Sequence, residues 1–220
     1  MTKRQVSNPL ALAALACLFE RPMHPYEMAT TMRERHKDDA IKLNYGSLYS
    51  VIEALCRNQF IEPRETVKEG RRPERTVYSL TPAGSHELND WLSELLSEPV
   101  KEYTQFEAGL ALMLVLSPEE AVAMLEHRCE MLEIGLAKEH SILRFTRGKK
   151  LPRLFVIDRE YHAMLRQAEL EWTRNLIADI SSGQLEGIAE WRSWYADQEA
   201  PSPSDNKASP AGQAIKNNLS

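Results

Sequence analysis

Gly70-Arg71-Arg72-Pro73-Glu74-Arg75-Thr76-Val77-Tyr78 decides how this chain folds. Proline removes a backbone donor and suits only a turn or a sheet edge. The flanking residues 61–68 and 75–80 are rich in β-branched side chains, so a two-stranded hairpin is expected, with Gly-Arg-Arg-Pro at its tip. Arg71, Arg72 and Arg75 then stand on or beside that tip, where guanidinium groups can meet phosphates or enter a narrow minor groove. Glu65, Glu69 and Glu74 partly cancel that field, as in an ordinary solvated turn.

Three helices are expected ahead of the hairpin. Asn8-Pro9 is an N-cap followed by the proline favoured in the first helical turn, and Leu12, Leu15, Cys17, Leu18 and Phe19 run on to a break near Pro22. A second helix begins near His24-Pro25-Tyr26, carries Tyr26, Met28, Ala29 and Met32, and ends in the charged run 33–39. A third starts near Asn44 and sets Leu48, Val51, Ile52 and Leu55 at spacings of three and four, the stripe of a helix packed on a core. Its other face holds Tyr45, Ser47, Tyr49, Ser50, Glu53 and Arg57. Behind the hairpin, Thr81-Pro82 opens a fourth helix with Leu88, Trp91, Leu92, Leu95 and Leu96.

Helix, helix, helix, hairpin, helix within about a hundred residues is the order of a winged helix-turn-helix, in which the third helix enters the major groove and the hairpin is the wing. The fold class is therefore mainly α with a two-stranded wing. Candidate DNA contacts are Lys42, Asn44, Tyr45, Ser47, Tyr49 and Ser50, at the positive end of the third helix dipole, with Arg71, Arg72 and Arg75 on the wing. Tyr49 suits packing on the wing or the second helix equally well, which makes Tyr45 and Ser47 the stronger candidates. His24 and Tyr26 are placed to touch a phosphate, although Tyr26 fits a core position as well.

The remaining chain reads as helical. Tyr103, Phe106, Leu110 and Leu114 make one face, and Ser117-Pro118-Glu119-Glu120 is a capping box opening a long helix. Val122, Leu125, Cys129, Leu132, Leu136 and Leu143 keep a near-heptad stripe with His140 in one slot. Leu154, Ile157, Tyr161, Met164, Ala168, Trp172 and Leu176 keep another. Two such helices form an antiparallel pair that cannot bury both faces alone, so a homodimer is expected. Ile188, Trp191, Trp194 and Tyr195 form a short amphipathic segment that docks back on the bundle. The domains expected are residues 1–97 for DNA binding, 98–196 for dimerisation, and 197–220 as a flexible tail of Pro, Ser, Asn, Asp and Ala. Tyr103, Phe106, Tyr161 and Trp172 are candidate lining for a small-molecule effector cavity, though aromatic stripes serve equally as core.

Composition fits this picture. The chain of 220 residues has a net charge of −5, yet residues 1–97 hold 13 basic and 13 acidic groups, so the acidity belongs to the C-terminal half. No apolar run approaches the ~18 residues needed to span a bilayer and no secretory signal order is present, so a cytoplasmic protein without membrane contact is expected. Cys17, Cys56 and Cys129 are far apart and read as buried thiols, and the six histidines show no ligand spacing, so neither metal nor cofactor is expected. The sequence offers no GxSxG, P-loop or GxGxxG on which to rest an enzyme.

Asn44-Tyr45-Gly46-Ser47-Leu48-Tyr49, then Leu55, Gly70-Arg71-Arg72-Pro73, Val77-Tyr78-Ser79-Leu80-Thr81 and Ala83-Gly84, resemble the PadR family of bacterial regulators. Close resemblance covers residues 8–96, and the C-terminal helices look like those of the longer subgroup, where they dimerise. The resemblance implies a transcription factor, commonly a repressor, whose dimer binds an inverted-repeat operator in double-stranded DNA. In some relatives phenolic acids or hydrophobic drugs release the DNA. Two departures stand out: the extra arginine in Gly70-Arg71-Arg72-Pro73, and Asn58-Gln59-Phe60 in place of the usual acidic residue plus glycine after the third helix. The alternative reading is a winged-helix adaptor for protein partners that binds no DNA, which the net acidity of the chain keeps open.

Overall fold

The computed structural model describes residues 4, 6–37, 40–67 and 75–199. They form two compact units, Met1–Lys101 and Glu102–Ser220.

In the first unit α1 spans Pro9–Glu20, α2 Pro25–Glu34, α3 Tyr45–Arg57, β1 Ile61–Val67, β2 Arg75–Leu80 and α4 Pro82–Ser97. The caps explain the starts. Asn8 accepts from the Leu10 amide at 2.9 Å, His24 from the Tyr26 amide at 3.1 Å, and Thr81 from the Gly84 amide at 3.0 Å, each ahead of a proline at the head of the helix. Leu10, Leu15, Met28, Leu48, Ile52 and Leu55 meet in one core. Burying each such side chain contributes about 1.5–3 kcal/mol. Phe19 and the end of α4 depart from expectation: Phe19, Leu92, Leu95 and Leu96 lie exposed, and only Leu88 and Trp91 of the α4 stripe are buried.

The hairpin is antiparallel, pairing Ile61 with Leu80 and Val67 with Arg75, with an irregularity between Pro63 and Glu65 where proline cannot donate. Its second strand is tied to the chain between α1 and α2. Met23 and Tyr78 exchange both backbone bonds, at 3.1 and 3.0 Å. The turn after α3 is closed by Gln59 at φ 59°, a left-handed conformation where the resembled family has a glycine turn, and by the Thr81 hydroxyl, which donates to the Gln59 carbonyl at 2.7 Å. Tyr78 is half-buried, and burial raises its hydroxyl above the usual tyrosine value.

In the second unit α5 spans Gln105–Ala111, α6 Pro118–Gly148, α7 Ile157–Ser182 and α8 Ile188–Glu199, with single 3-10 turns at Met113–Val115 and Arg153–Phe155. The capping box forms: Glu120 Oε2 accepts from the Ser117 amide at 2.9 Å, and Ser117 Oγ from the Glu120 amide at 3.2 Å. Trp191 and Ile188 of α8 are buried against Ala121, Leu125 and Ile180, and the Trp191 indole donates to the Leu116 carbonyl at 2.9 Å. Helix α8 runs to Glu199, three residues into the stretch expected as tail; residues 200–220 lie outside the described residues.

Two expectations are corrected here. The α6 slot assigned to His140 is filled by its neighbour Glu139, only 6% exposed, while His140 faces outward. Glu139 tolerates burial because Arg159 and Arg166 of α7 reach it, at 3.1 and 3.8 Å. The α7 stripe expected to face α6 is also turned the other way, apart from Leu176, which packs inward. Val156, Ala163, Leu170, Thr173 and Ile180 are the buried positions, whereas Leu154, Ile157, Tyr161, Met164 and Trp172 are exposed. Both helices carry two apolar faces, and periodicity does not say which face the pair uses.

Candidate nucleic-acid interface

The site is built on the N-terminal end of α3. Asn44 is spent on the helix itself, its Oδ1 accepting from the amides of Gly46 at 2.9 Å and Ser47 at 3.5 Å. That cap fixes the first turn and presents Ser47 outward. Ser50 is exposed too, but its hydroxyl donates back to the Gly46 carbonyl at 3.3 Å. Ser47 and Ser50 line an open groove against the start of α1, with Ser7 and Asn8 on its far wall. Lys42 is exposed on the segment leading into the helix.

The two tyrosines of the first turns differ in exposure. Tyr49 stands 47% exposed. Tyr45, half-buried, packs on α2 and stacks on Tyr26 with ring centroids 6.0 Å apart and planes 14° from parallel. Arg33 of α2 lies with its guanidinium 4.5 Å from the centre of the Tyr45 ring and donates to its hydroxyl. Tyr26, read as a possible core residue, is 53% exposed, because it sits in the first turn of α2 where the stack with Tyr45 holds it at the surface. Arg75 at the start of β2 lies 5.9 Å from the centre of the Tyr26 ring, so wing, α2 and α3 present one continuous surface of arginine and tyrosine. Arg71 and Arg72 lie outside the described residues.

His24 completes this edge. Its Nδ1 accepts from a backbone amide, a role open only to an unprotonated nitrogen. Burial, and then the nearby charge of Arg75, hold its pKa below the usual histidine value.

Sequence reasoning missed Arg33, which lay in a charged run, and missed the stack. Neither has a signal in spacing, since both depend on how α2 and α3 cross.

In the second unit the four aromatic candidates do not gather. Phe106 and Trp172 meet edge to face at 6.2 Å, with the Arg128 guanidinium 3.6 Å from the centre of the Phe106 ring. Tyr161 lies eleven residues before Trp172 on the same helix, about 16 Å away along its axis. Tyr103 precedes α5 and is 85% exposed. Among the described residues no helix is long and apolar enough to cross a membrane, and no group of three His, Cys, Asp or Glu side chains is placed to hold a metal ion.

Residues 14–90 match the model of the transcriptional regulator PadR-like family. No curated protein sequence matches. Among solved structures, Bacillus subtilis PadR in complex with operator DNA is similar at 20% identity and a TM-score of 0.63, over 80% of this chain and 99% of that one. The Vibrio cholerae virulence activator AphA is similar at 20% identity and 0.59, over 79% and 98%. Bacillus subtilis PadR in complex with p-coumaric acid is similar at 17% identity and 0.59, over 80% and 99%. Residues 14–90 of this chain, the greater part of its winged helix, thus match the domain of the PadR-like family of transcriptional regulators.

Proposed function

We propose that this chain is a repressor that binds an inverted-repeat operator in double-stranded DNA as a homodimer. The observation that carries this reading is the surface joining Arg75, Tyr26, Tyr45 and the exposed Ser47 at the N-terminal end of α3. A helix lying in the major groove offers base edges its N-terminal side chains, while wing guanidinium groups neutralise flanking phosphates. Lys42 ahead of α3, and Arg71 and Arg72 between the two strands in the sequence, add positive charge. The apolar faces that α6 and α7 leave exposed, with Ile134 and Tyr161 among them, support pairing with a second copy.

A small aromatic or phenolic effector is the signal we assign to the second unit, at the Phe106 and Trp172 pair, beside which Arg128 lies over the Phe106 ring and is paired with Glu169. It would act by favouring a dimer whose two wings no longer match the half-site spacing.

Charge reversal tests the reading. The full chain with Arg71, Arg72 and Arg75 changed to Glu is expected to lose binding to a duplex that the unmodified chain selects from a random pool. Ser47→Ala with Tyr45→Ala is expected to weaken that duplex more than a scrambled one. Unchanged affinity on charge reversal would instead favour a protein-binding adaptor.

A further inference from the structure

Tyr45, at the head of α3, is held by two side chains of α2. Tyr26 and Arg33 are seven residues apart on α2, hence two turns along one face, and both contact the Tyr45 ring. Arg33 does more than cover the ring. Its Nη1 donates to the Tyr45 hydroxyl oxygen. A guanidinium has donors only, whereas a phenol oxygen has both a proton to give and lone pairs that accept. With Arg33 donating to the oxygen, the phenol proton is left for another acceptor.

We propose that Arg33 is a positioning residue for DNA recognition: it commits Tyr45 to donate its hydroxyl proton to an acceptor atom on the DNA. This rests on the DNA-binding reading above. Acceptors of that kind are a phosphate oxygen or the N7, O6 or O4 atoms of bases in the major groove. A free tyrosine at this position would rotate and would serve donors and acceptors alike. The stack on Tyr26 removes that freedom, and Arg75 over the second ring extends the restraint to the wing. Arg33 and Tyr26 are exposed and Tyr45 is only half-buried, so replacing Arg33 or the Tyr45 hydroxyl leaves the core intact. Lysine cannot replace Arg33, because a compact ammonium does not lie along a ring face while reaching its hydroxyl.

The test uses the full chain, a labelled duplex that it selects from a random pool, and a scrambled duplex of the same composition. Affinity is read by fluorescence anisotropy over a salt series. Tyr45→Phe and Arg33→Met are each expected to weaken the selected duplex about tenfold, the loss of one hydrogen bond to DNA. The double variant is expected to lose about tenfold as well, because both changes break the same contact. Arg33→Lys should behave like Arg33→Met. The salt slope should stay that of the unmodified chain, since Arg33 does not itself meet a phosphate. Loss confined to the selected duplex assigns the acceptor to a base edge, and equal loss on both duplexes assigns it to a phosphate.

Four results overturn the inference while leaving the DNA-binding reading in place: full affinity in Tyr45→Phe, losses that multiply in the double variant, full rescue by lysine, or a slope that falls by about one in Arg33→Met. An unmodified chain that selects no duplex overturns the DNA-binding reading itself.

Discussion

The carboxylate of Glu139 lies 3.1 Å from the guanidinium of Arg159, inside the seam between α6 and α7. Neither side chain is more than 12% exposed, and Arg166 approaches the other carboxylate oxygen at 3.8 Å. An acid on this apolar seam holds two bases in place, and with them the register of the two helices. Glu139→Ala removes the buried carboxylate that both arginines reach, and is expected to destabilise the chain by about 3 kcal/mol in urea unfolding. Glu139→Leu combined with Arg159→Met should recover most of that. A double variant less stable than Glu139→Ala would contradict this account of the seam.

Gly84 makes a second, steeper prediction. A Cβ at Gly84 would fall 1.9 Å from the Phe60 carbonyl oxygen, which belongs to the backbone of the turn after α3. Neither partner can yield without moving α4 or the wing. Gly84→Ala is expected to cost at least about 3 kcal/mol in thermal or urea unfolding. Gly109→Ala, with nothing within 4 Å of the added atom in the short helix α5, should instead stabilise by up to about 1 kcal/mol. Equal effects at the two glycines would refute the packing argument.

His24 predicts a pH dependence. Its folded pKa is depressed, first by burial and then by Arg75, so the unfolded chain takes up a proton at a higher pH than the folded one. The stability that His24 contributes is fully present above the ordinary histidine value and is lost as pH falls below it towards the folded value. Protonation also removes the acceptor that caps α2. His24→Asn keeps an N-cap acceptor without a titrating group. The melting temperature of the variant should therefore fall less than that of the unmodified chain between about pH 7.5 and about pH 5, on either side of the ordinary histidine value. Parallel curves would show that His24 does not titrate on unfolding.

The exposed apolar faces of α6 and α7 predict the assembly. Ile134 is 65% exposed and Tyr161 61% exposed, on helix faces turned away from the seam. Ile134→Glu with Tyr161→Glu should convert a dimer to a monomer by light scattering after gel filtration, with the helical circular dichroism unchanged. An unchanged dimer mass would place the interface elsewhere.

How much of this was legible in the sequence follows from what each feature depends on. Asn8-Pro9, Thr81-Pro82 and Ser117-Pro118-Glu119-Glu120 are local chemistry, and the helices begin where they say. The hairpin strands followed from β-branched residues around a proline turn. The stack of Tyr45 on Tyr26 did not, because it is made by two helices crossing, and crossing angles leave no mark on spacing. Glu139 carries no such signal, because an acid counts against a core position until its basic partners on another helix are known. The sequence points to the outer face of α7 for a related reason. Val156, Ala163, Leu170, Thr173 and Ile180 include small and polar residues, so the face that packs inside is less apolar than the one left outside. Lys42, Ser47 and Ser50 are exposed, as expected of residues that flank or face away from a clear stripe, whereas Arg33 is hidden in a run of charges.

The central claim is that two copies of α3 and its wing read a twofold DNA site. The measurement that tests it most directly is selection of duplexes from a random pool by the full chain, followed by footprinting of the winners. The account predicts two inverted half-sites protected on one face of the DNA, spaced by about one helical turn or a multiple of it. Binding by the Ile134→Glu, Tyr161→Glu variant should collapse towards single half-site affinity. A single asymmetric site bound equally well by that variant, or no selected sequence at all, would contradict the claim.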